Sequence, residues 1–188
     1  MTFSWNTYYP GRFYDELISS PGHSRAPGRS VARHLRSLTM DEIRARQRAA
    51  DAAVKTMGIT FTVYRDGTNI DRPWPYDIIP RTISGRDWDR VEAGLVQRLT
   101  ALNLFIDDVY NAQHILRDGV VPRDLIEASS NFRRACVGMR PVHGAWAHVC
   151  GSDLIRDRDG AFYVLEDNLR VPSGVSYMLE NRQVTKRV

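Results

Sequence analysis

The stretch Ser152–Asn181, SDLIRDRDGAFYVLEDNLRVPSGVSYMLEN, decides how the rest of the chain is read. His148–Arg156 has the composition of a strand, Asp157-Arg158-Asp159-Gly160 that of a turn, and Ala161–Leu165 that of a returning strand. Asp-Gly between two such runs is a strong hairpin signal, because both residues tolerate positive φ. Side chains alternate faces along a strand, which puts Phe162, Val164, Glu166 and Asn168 on one face. A two-residue turn at Asp159-Gly160 sets Asp153 directly opposite Glu166. A four-residue loop sets Asp153 opposite Val164 and leaves Glu166 a diagonal neighbour on the same face. In both registers Asp153, Glu166 and Asn168 can converge. Two carboxylates and an amide oxygen are hard donors, suited to a Mg²⁺ ion that keeps some waters and phosphate oxygens.

Two rival readings use the same residues. Counted from Ile155, a calcium loop would have Asp157, Asp159, Gly160 and Glu166 in place, but Ile155 stands where that loop needs a carboxylate and the flanks are strand-like. A plain surface hairpin would not need Glu166 and Asn168 closing an otherwise apolar strand. Downstream, Arg170 offers a planar fork to a carboxylate or phosphate. Pro172-Ser173-Gly174 forms a tight turn that opens a helix near Val175. Ser173 and Ser176 then present hydroxyls and N–H groups to an anion at the helix N-terminus, or Ser173 simply caps it.

Asp153, Asp159-Gly160, Glu166-Asp167-Asn168 and the following Pro-Ser-Gly resemble the metal-binding hairpin of ATP-grasp ligases. Tyr14-Asp15-Glu16, Gly58–Tyr64, Asn168–Tyr177 and Glu180-Asn181-Arg182 narrow the resemblance to the circularly permuted ATP-grasp proteins, relatives of glutathionylspermidine synthetase and glutathione synthetase. It runs from about Tyr14 to Val188. The resemblance implies an α/β fold: a mixed sheet with packed helices, the amino-terminal part of a circularly permuted ATP-grasp fold ending in the metal-binding hairpin. It implies ATP and Mg²⁺ as reactants, with Asp153, Glu166 and Asn168 as metal ligands. Arg170, Ser173, Gly174 and Ser176 would meet the carboxylate substrate, Arg170 also acting in catalysis. Family members are longer, and their ATP-clamping lobes follow this hairpin. The expectation is therefore an amino-terminal portion, inactive alone, with residues 1–29 as an irregular arm and 30–188 as a partial ATP-grasp domain.

Composition fits this reading. Hydrophobic residues make up 43% and charged residues 26%, ordinary for one globular domain. No apolar run approaches a bilayer span, and MTFSWNTYYPGRF lacks a signal-peptide pattern. The net charge of +4 is carried by arginine, since Lys55 and Lys186 are the only lysines. No basic stripe with interleaved aromatics points to nucleic acid. Cys136 and Cys150 lack metal or redox spacing and are expected to be reduced, mostly buried thiols in a cytoplasmic protein.

Along the chain, a short helix is expected over Ser30–Leu38. Thr39 with Glu42 forms a capping box for a helix ending near Met57, with Gly58 as its stop. Ile59–Tyr64 reads as a strand followed by an Asp66-Gly67 turn, and a short strand is expected near Ile78-Ile79. Trp88, Val91, Leu95, Val96, Leu99, Leu102, Ile106, Val109 and Tyr110 mark one long helix from Gly85 or Arg86 to Asp118-Gly119. On it, Asp107 and Asp108 point about 100° apart and cannot chelate together, and His114 is expected to be structural. A short helix follows Pro122. Arg133, Arg134 and Arg140 lie on the approach to the hairpin and are anion-binding candidates by resemblance, or surface residues. Ala145–Val149 is expected to open the first hairpin strand. The reading that emerges is a carboxylate–amine ligase acting through an acyl phosphate on small molecules. The competing reading is a non-catalytic binding or assembly module that keeps the hairpin for structure.

Overall fold

The computed structural model describes residues 4–65 and 68–188. The Asp66-Gly67 turn expected from sequence lies outside them. The chain clusters into two compact units, one of Met1–Asp87, Leu154–Tyr163 and Ser173–Val188, the other of Trp88–Asp153 and Val164–Pro172.

The first unit holds β1 (Ile18–Ser20), β2 (His23–Ser24), α1 (Arg29–Ser37), α2 (Met40–Thr56), β3 (Thr60–Arg65), β4 (Thr68–Pro73) and α6 (Gly174–Thr185). The capping box forms as the sequence implies. Thr39 Oγ1 accepts from Glu42 N, and the Glu42 carboxylate accepts from Thr39 N. These bonds with Thr39 hold the Glu42 carboxyl below its usual range. Gly58 ends α2 with φ +68°, a conformation that costs glycine little. One core joins Trp5, Leu17, Ile18, Ala32, Leu35, Leu38 and Ile43. A second joins Ala50 and Val54 of α2 to Ile59 and Val184 of α6. Trp74 stacks on Tyr177 with centroids 3.8 Å apart, and the Tyr177 hydroxyl donates to the Thr60 carbonyl. These contacts fix α6 against β3 and α2.

The sheet differs from expectation. Instead of one mixed sheet, among the described residues the strands pair only with their sequence neighbours: β1 with β2, β3 with β4, and β5 (Gly151–Arg156) with β6 (Phe162–Asn168). Antiparallel neighbours joined by short turns need no crossover, so local pairing suffices. β4 was not expected, and Ile78-Ile79 is not a strand. The Thr68–Pro73 segment pairs from Arg65↔Thr68 to Thr60↔Pro73, with Pro73 at the strand end where a missing N–H is tolerated. Ile78 and Ile79 instead pack on the core as a loop, their amides held by Gln47 Oε1 and Asp77 Oδ1.

The second unit is built on α3 (Gly85–Tyr110), with α4 (His114–Arg117) and α5 (Arg123–Glu127). The single long helix is broken before His114, where Gln113 takes φ +56°. The cause is Asp108, whose carboxylate accepts from the His114 and Ile115 amides and so starts a new helix. The bond from Ile115 leads in holding the Asp108 carboxyl below its usual range, with His114 adding to it. His114 Nδ1 lies 3.0 Å from the same carboxylate, a structural role as expected. Asp107 turns away and accepts from the Trp146 indole N–H. Tyr110 stacks between Phe132 and Trp146 at 5.1 Å from each. Ala145–Val149 is not a strand, because the Trp146 and Ala147 amides are taken by Asn103 Oδ1 instead of a ladder.

Candidate functional site

The turn between β5 and β6 is neither of the two expected. The Asp157 carbonyl accepts from Gly160 N, Asp157 N donates to the Ala161 carbonyl, and Gly160 has φ +86°. This is a three-residue connection with glycine at the left-handed bulge position. Asp157 enforces it by accepting from the Asp159 and Ala161 amides with one carboxylate oxygen.

At its far end the strand pair is tied by side chains. Ser152 Oγ donates to Asp167 Oδ1 at 2.7 Å. Along β6, Phe162 and Val164 are half-buried, Leu165 and Glu166 are both exposed, and Asp167 is half-buried again. Asp167 therefore turns inward, while Glu166 and Asn168 stay on the solvent side. The expected face of Phe162, Val164, Glu166 and Asn168 is split at this point.

The outcome separates adjacent carboxylates. The Asp167 side chain is 7% exposed and paired with Arg98 of α3. Burial pushes its carboxyl up, but the Ser152 hydroxyl and the Arg98 guanidinium together hold it below the usual range. Glu166 is exposed, and its Oε1 accepts from Asn168 Nδ2 at 2.9 Å. That bond leaves Asn168 Oδ1 and Glu166 Oε2 free as acceptors. Asp153 is exposed on β5. Among the described residues neither Asp153 nor Glu166 enters an ion pair. The set of two uncommitted carboxylates and one amide oxygen fits a hard divalent cation in chemistry. No three His, Cys, Asp or Glu side chains converge among the described residues, so the amide is needed to complete any such site.

Behind the hairpin a backbone constraint shapes the next loop. A Cβ on Gly151 would meet Pro172 Cβ at 2.8 Å and Asn168 Cβ at 3.9 Å, so glycine lets the Asn168–Pro172 loop lie against β5. In that loop Val171 has φ +46°. A β-branched residue preceding proline resists this conformation on both counts. Arg170 is exposed and forms no hydrogen bond or ion pair among the described residues.

Ser173, Gly174 and Ser176 belong to the first unit and are exposed at the start of α6. Ser173 holds the N-cap position without a side-chain cap bond, so the simple capping role does not form. With Met57–Thr60, Tyr177 and Glu180, the two serines line a hollow of about 310 Å³. Arg133, Arg134 and Arg140 are all exposed, and Cys136 and Cys150 are free.

Sequence reasoning missed the arginine at the turn. Arg156, whose side chain is 9% exposed, donates to the Gly160 carbonyl and to Asp87. Its guanidinium lies 3.9 Å from the Tyr14 ring centroid, and Arg25 covers Tyr14 at 4.0 Å. The one available signal was the resemblance stated above for Tyr14-Asp15-Glu16.

The profile of the circularly permuted ATP-grasp type 2 family matches residues 80–188, and the chain belongs to that family. Relatives agree over a longer stretch. An uncharacterized protein of Synechocystis is 46% identical over 180 residues, covering 96% of this chain and 37% of the relative. An uncharacterized protein of Mycobacterium leprae is 45% identical over 175 residues, covering 93% and 30%. A Frankia alni protein with the provisional name glutamate–cysteine ligase 2-3 is 39% identical over 176 residues, covering 93% and 20%. The chain thus spans about a third of the length of the first two and a fifth of the last. Among the described residues no helix is long and apolar enough to cross a membrane.

Proposed function

We propose that this chain carries the metal-holding and carboxylate-orienting residues of an ATP-dependent carboxylate–amine ligase. The observation that carries the reading is the split between neighbours: Asp167 is neutralised by Arg98, while Glu166, tied to Asn168, keeps its charge uncompensated toward solvent. A carboxylate left in solvent and oriented by a neighbouring amide is available to a cation. Family membership and the ligase name of the Frankia relative support the same class. In this reading residues 30–188 form part of the ATP-grasp domain and residues 1–29 an arm upon it.

Asp153, Glu166 and Asn168 would hold Mg²⁺, which supplies charge neutralisation for phosphoryl transfer from ATP. Arg170 meets the substrate carboxylate through its guanidinium fork. Ser173 and Ser176 offer their hydroxyls and Gly174 its N–H at the start of α6, where Ser173 makes no side-chain cap bond. The γ-phosphoryl group passes to the carboxylate oxygen and ADP leaves. The amine nitrogen then attacks the acyl phosphate, forming an amide, releasing phosphate and losing one proton. Such ATP-consuming chemistry on small molecules suits a cytoplasmic setting.

The test has two arms. Mn²⁺ added to the labelled chain should broaden the amide signals near Asp153, Glu166 and Asn168, and Glu166→Gln should abolish the effect. In the chain extended to the length of its relatives, Mg²⁺-dependent ADP release with amino acids and amines should be lost in Glu166→Ala. Broadening that ignores Glu166→Gln, with no turnover in a folded extended protein, would leave the binding-module reading in place.

A further inference from the structure

The amino-terminal segment and the Asp77–Arg81 loop enclose a cleft of about 430 Å³, a size suited to a small organic ligand. It lies wholly within the first unit, and the ligase reading gives it no role. Its lining includes the aromatic rings of Trp5, Tyr8, Phe13 and Tyr14, the acids Asp15, Glu16 and Asp77, and Arg81. Trp5 and Tyr8 meet edge to face at 5.8 Å, and the Tyr8 hydroxyl donates to Asp15 Oδ2 at 2.8 Å, which fixes that ring.

The carboxylates are positioned by backbone amides while their charge stays largely uncompensated. Asp15 Oδ1 accepts from the Leu17 and Ile18 amides, and Asp77 Oδ1 accepts from Ile79 N. Neither enters an ion pair among the described residues. Glu16, 10% exposed, has only Arg81 at 3.6 Å, and that arginine is 78% exposed at the rim. Arg25, which donates to the Asp15 carbonyl, lies over Tyr14 with Arg156, so Tyr14 has no free face. Tyr8 and Phe13 keep theirs more open, at 41% and 73% exposure, with Arg12 a loose 5.5 Å from the Phe13 ring.

Aromatic faces beside carboxylates, of which only Glu16 has an ion-pair partner among the described residues, select a cation with apolar carbons, because ring quadrupole and charge act on the same group. A bare metal ion would forgo the rings, and an anion would meet the acids. We propose that this cleft binds a small organic ammonium ion, with Tyr8 and Phe13 against its carbons and Glu16 and Asp77 balancing its charge.

Choline chloride titrated into the ¹⁵N-labelled chain tests this, with sodium chloride at equal ionic strength and 3,3-dimethyl-1-butanol as the neutral isostere. The expected result is a saturable shift of the Trp5 indole and of the Phe13–Leu17 amides, with the neutral alcohol binding at least about tenfold more weakly. Asp77→Asn, which keeps the acceptor for Ile79 N, should weaken choline by roughly two- to fivefold, and so should Phe13→Leu. Arg81→Ala should tighten it, since the competing cation on Glu16 is gone. Equal binding of choline and the alcohol, shifts reproduced by sodium chloride, or no saturable shift would each overturn the proposal.

Discussion

Replacing Asp167 and Glu166 one at a time gives opposite outcomes for two adjacent acids. Asp167→Ala removes the acceptor of the Ser152 hydroxyl and the partner of Arg98. A hydrogen bond to a buried charged group contributes about 1.5–3 kcal/mol. Arg98 is 48% exposed, so its Coulomb share is discounted to about 0–1 kcal/mol. The expected destabilisation is about 2 kcal/mol, or roughly 4–8 °C in Tm for a chain of this size. Glu166→Ala removes one exposed hydrogen bond and should stay within about 0.5 kcal/mol of wild type. Urea unfolding followed by circular dichroism measures both, and Mn²⁺ broadening should rank them the other way round. The pH dependence follows from the depressed Asp167 carboxyl. Its contribution is complete above the unfolded-state value of about 3.9 and is lost as pH falls through the lower folded-state value. Asp167→Asn should flatten that acid limb. Destabilisation of Glu166→Ala equal to that of Asp167→Ala would refute the division of roles.

Further outcomes test the scaffold. Val184→Ala, at a fully buried position against α2, should cost about 2–3 kcal/mol in urea unfolding. Thr39→Ala should cost about 1 kcal/mol through loss of the cap. Val171→Gly should raise stability by about 0.5–1 kcal/mol in urea unfolding, since relief of a left-handed β-branched residue outweighs the added freedom of the unfolded chain. Gly160→Ala should lower Tm, because a Cβ there would lie 2.9 Å from Tyr14 in a left-handed backbone.

What the sequence disclosed was mostly what is local. Thr39 and Glu42 are three residues apart and form their capping box without help, and the Gly58 stop follows at the helix end. The break before His114 was hidden because the capping Asp108 sits inside the apolar stripe that argued for continuity. β4 was hidden because Asn69, Asp71 and Arg72 favour strands poorly, and only the ladder to β3 makes them one. At the candidate site the residue types were legible but their division was not. The Ser152 hydroxyl of β5 and an arginine from α3 decide that Asp167 turns inward, which leaves Glu166 outward. Neither is written within the motif. Single mixed-sheet pairing came from resemblance, and hairpin-by-hairpin pairing answered it.

The seating of Val184 on Ala50 and Val54 has a consequence for synthesis. The α2 face leaves the ribosome more than a hundred residues before the residue that covers it. At about 5–20 residues per second this interval is on the order of ten seconds. The nascent chain carries an open apolar strip for that time, and Tyr14 likewise waits for Arg156. Ribosome-bound chains stalled before Val184 should be cut readily within α2, and chains released with α6 should resist.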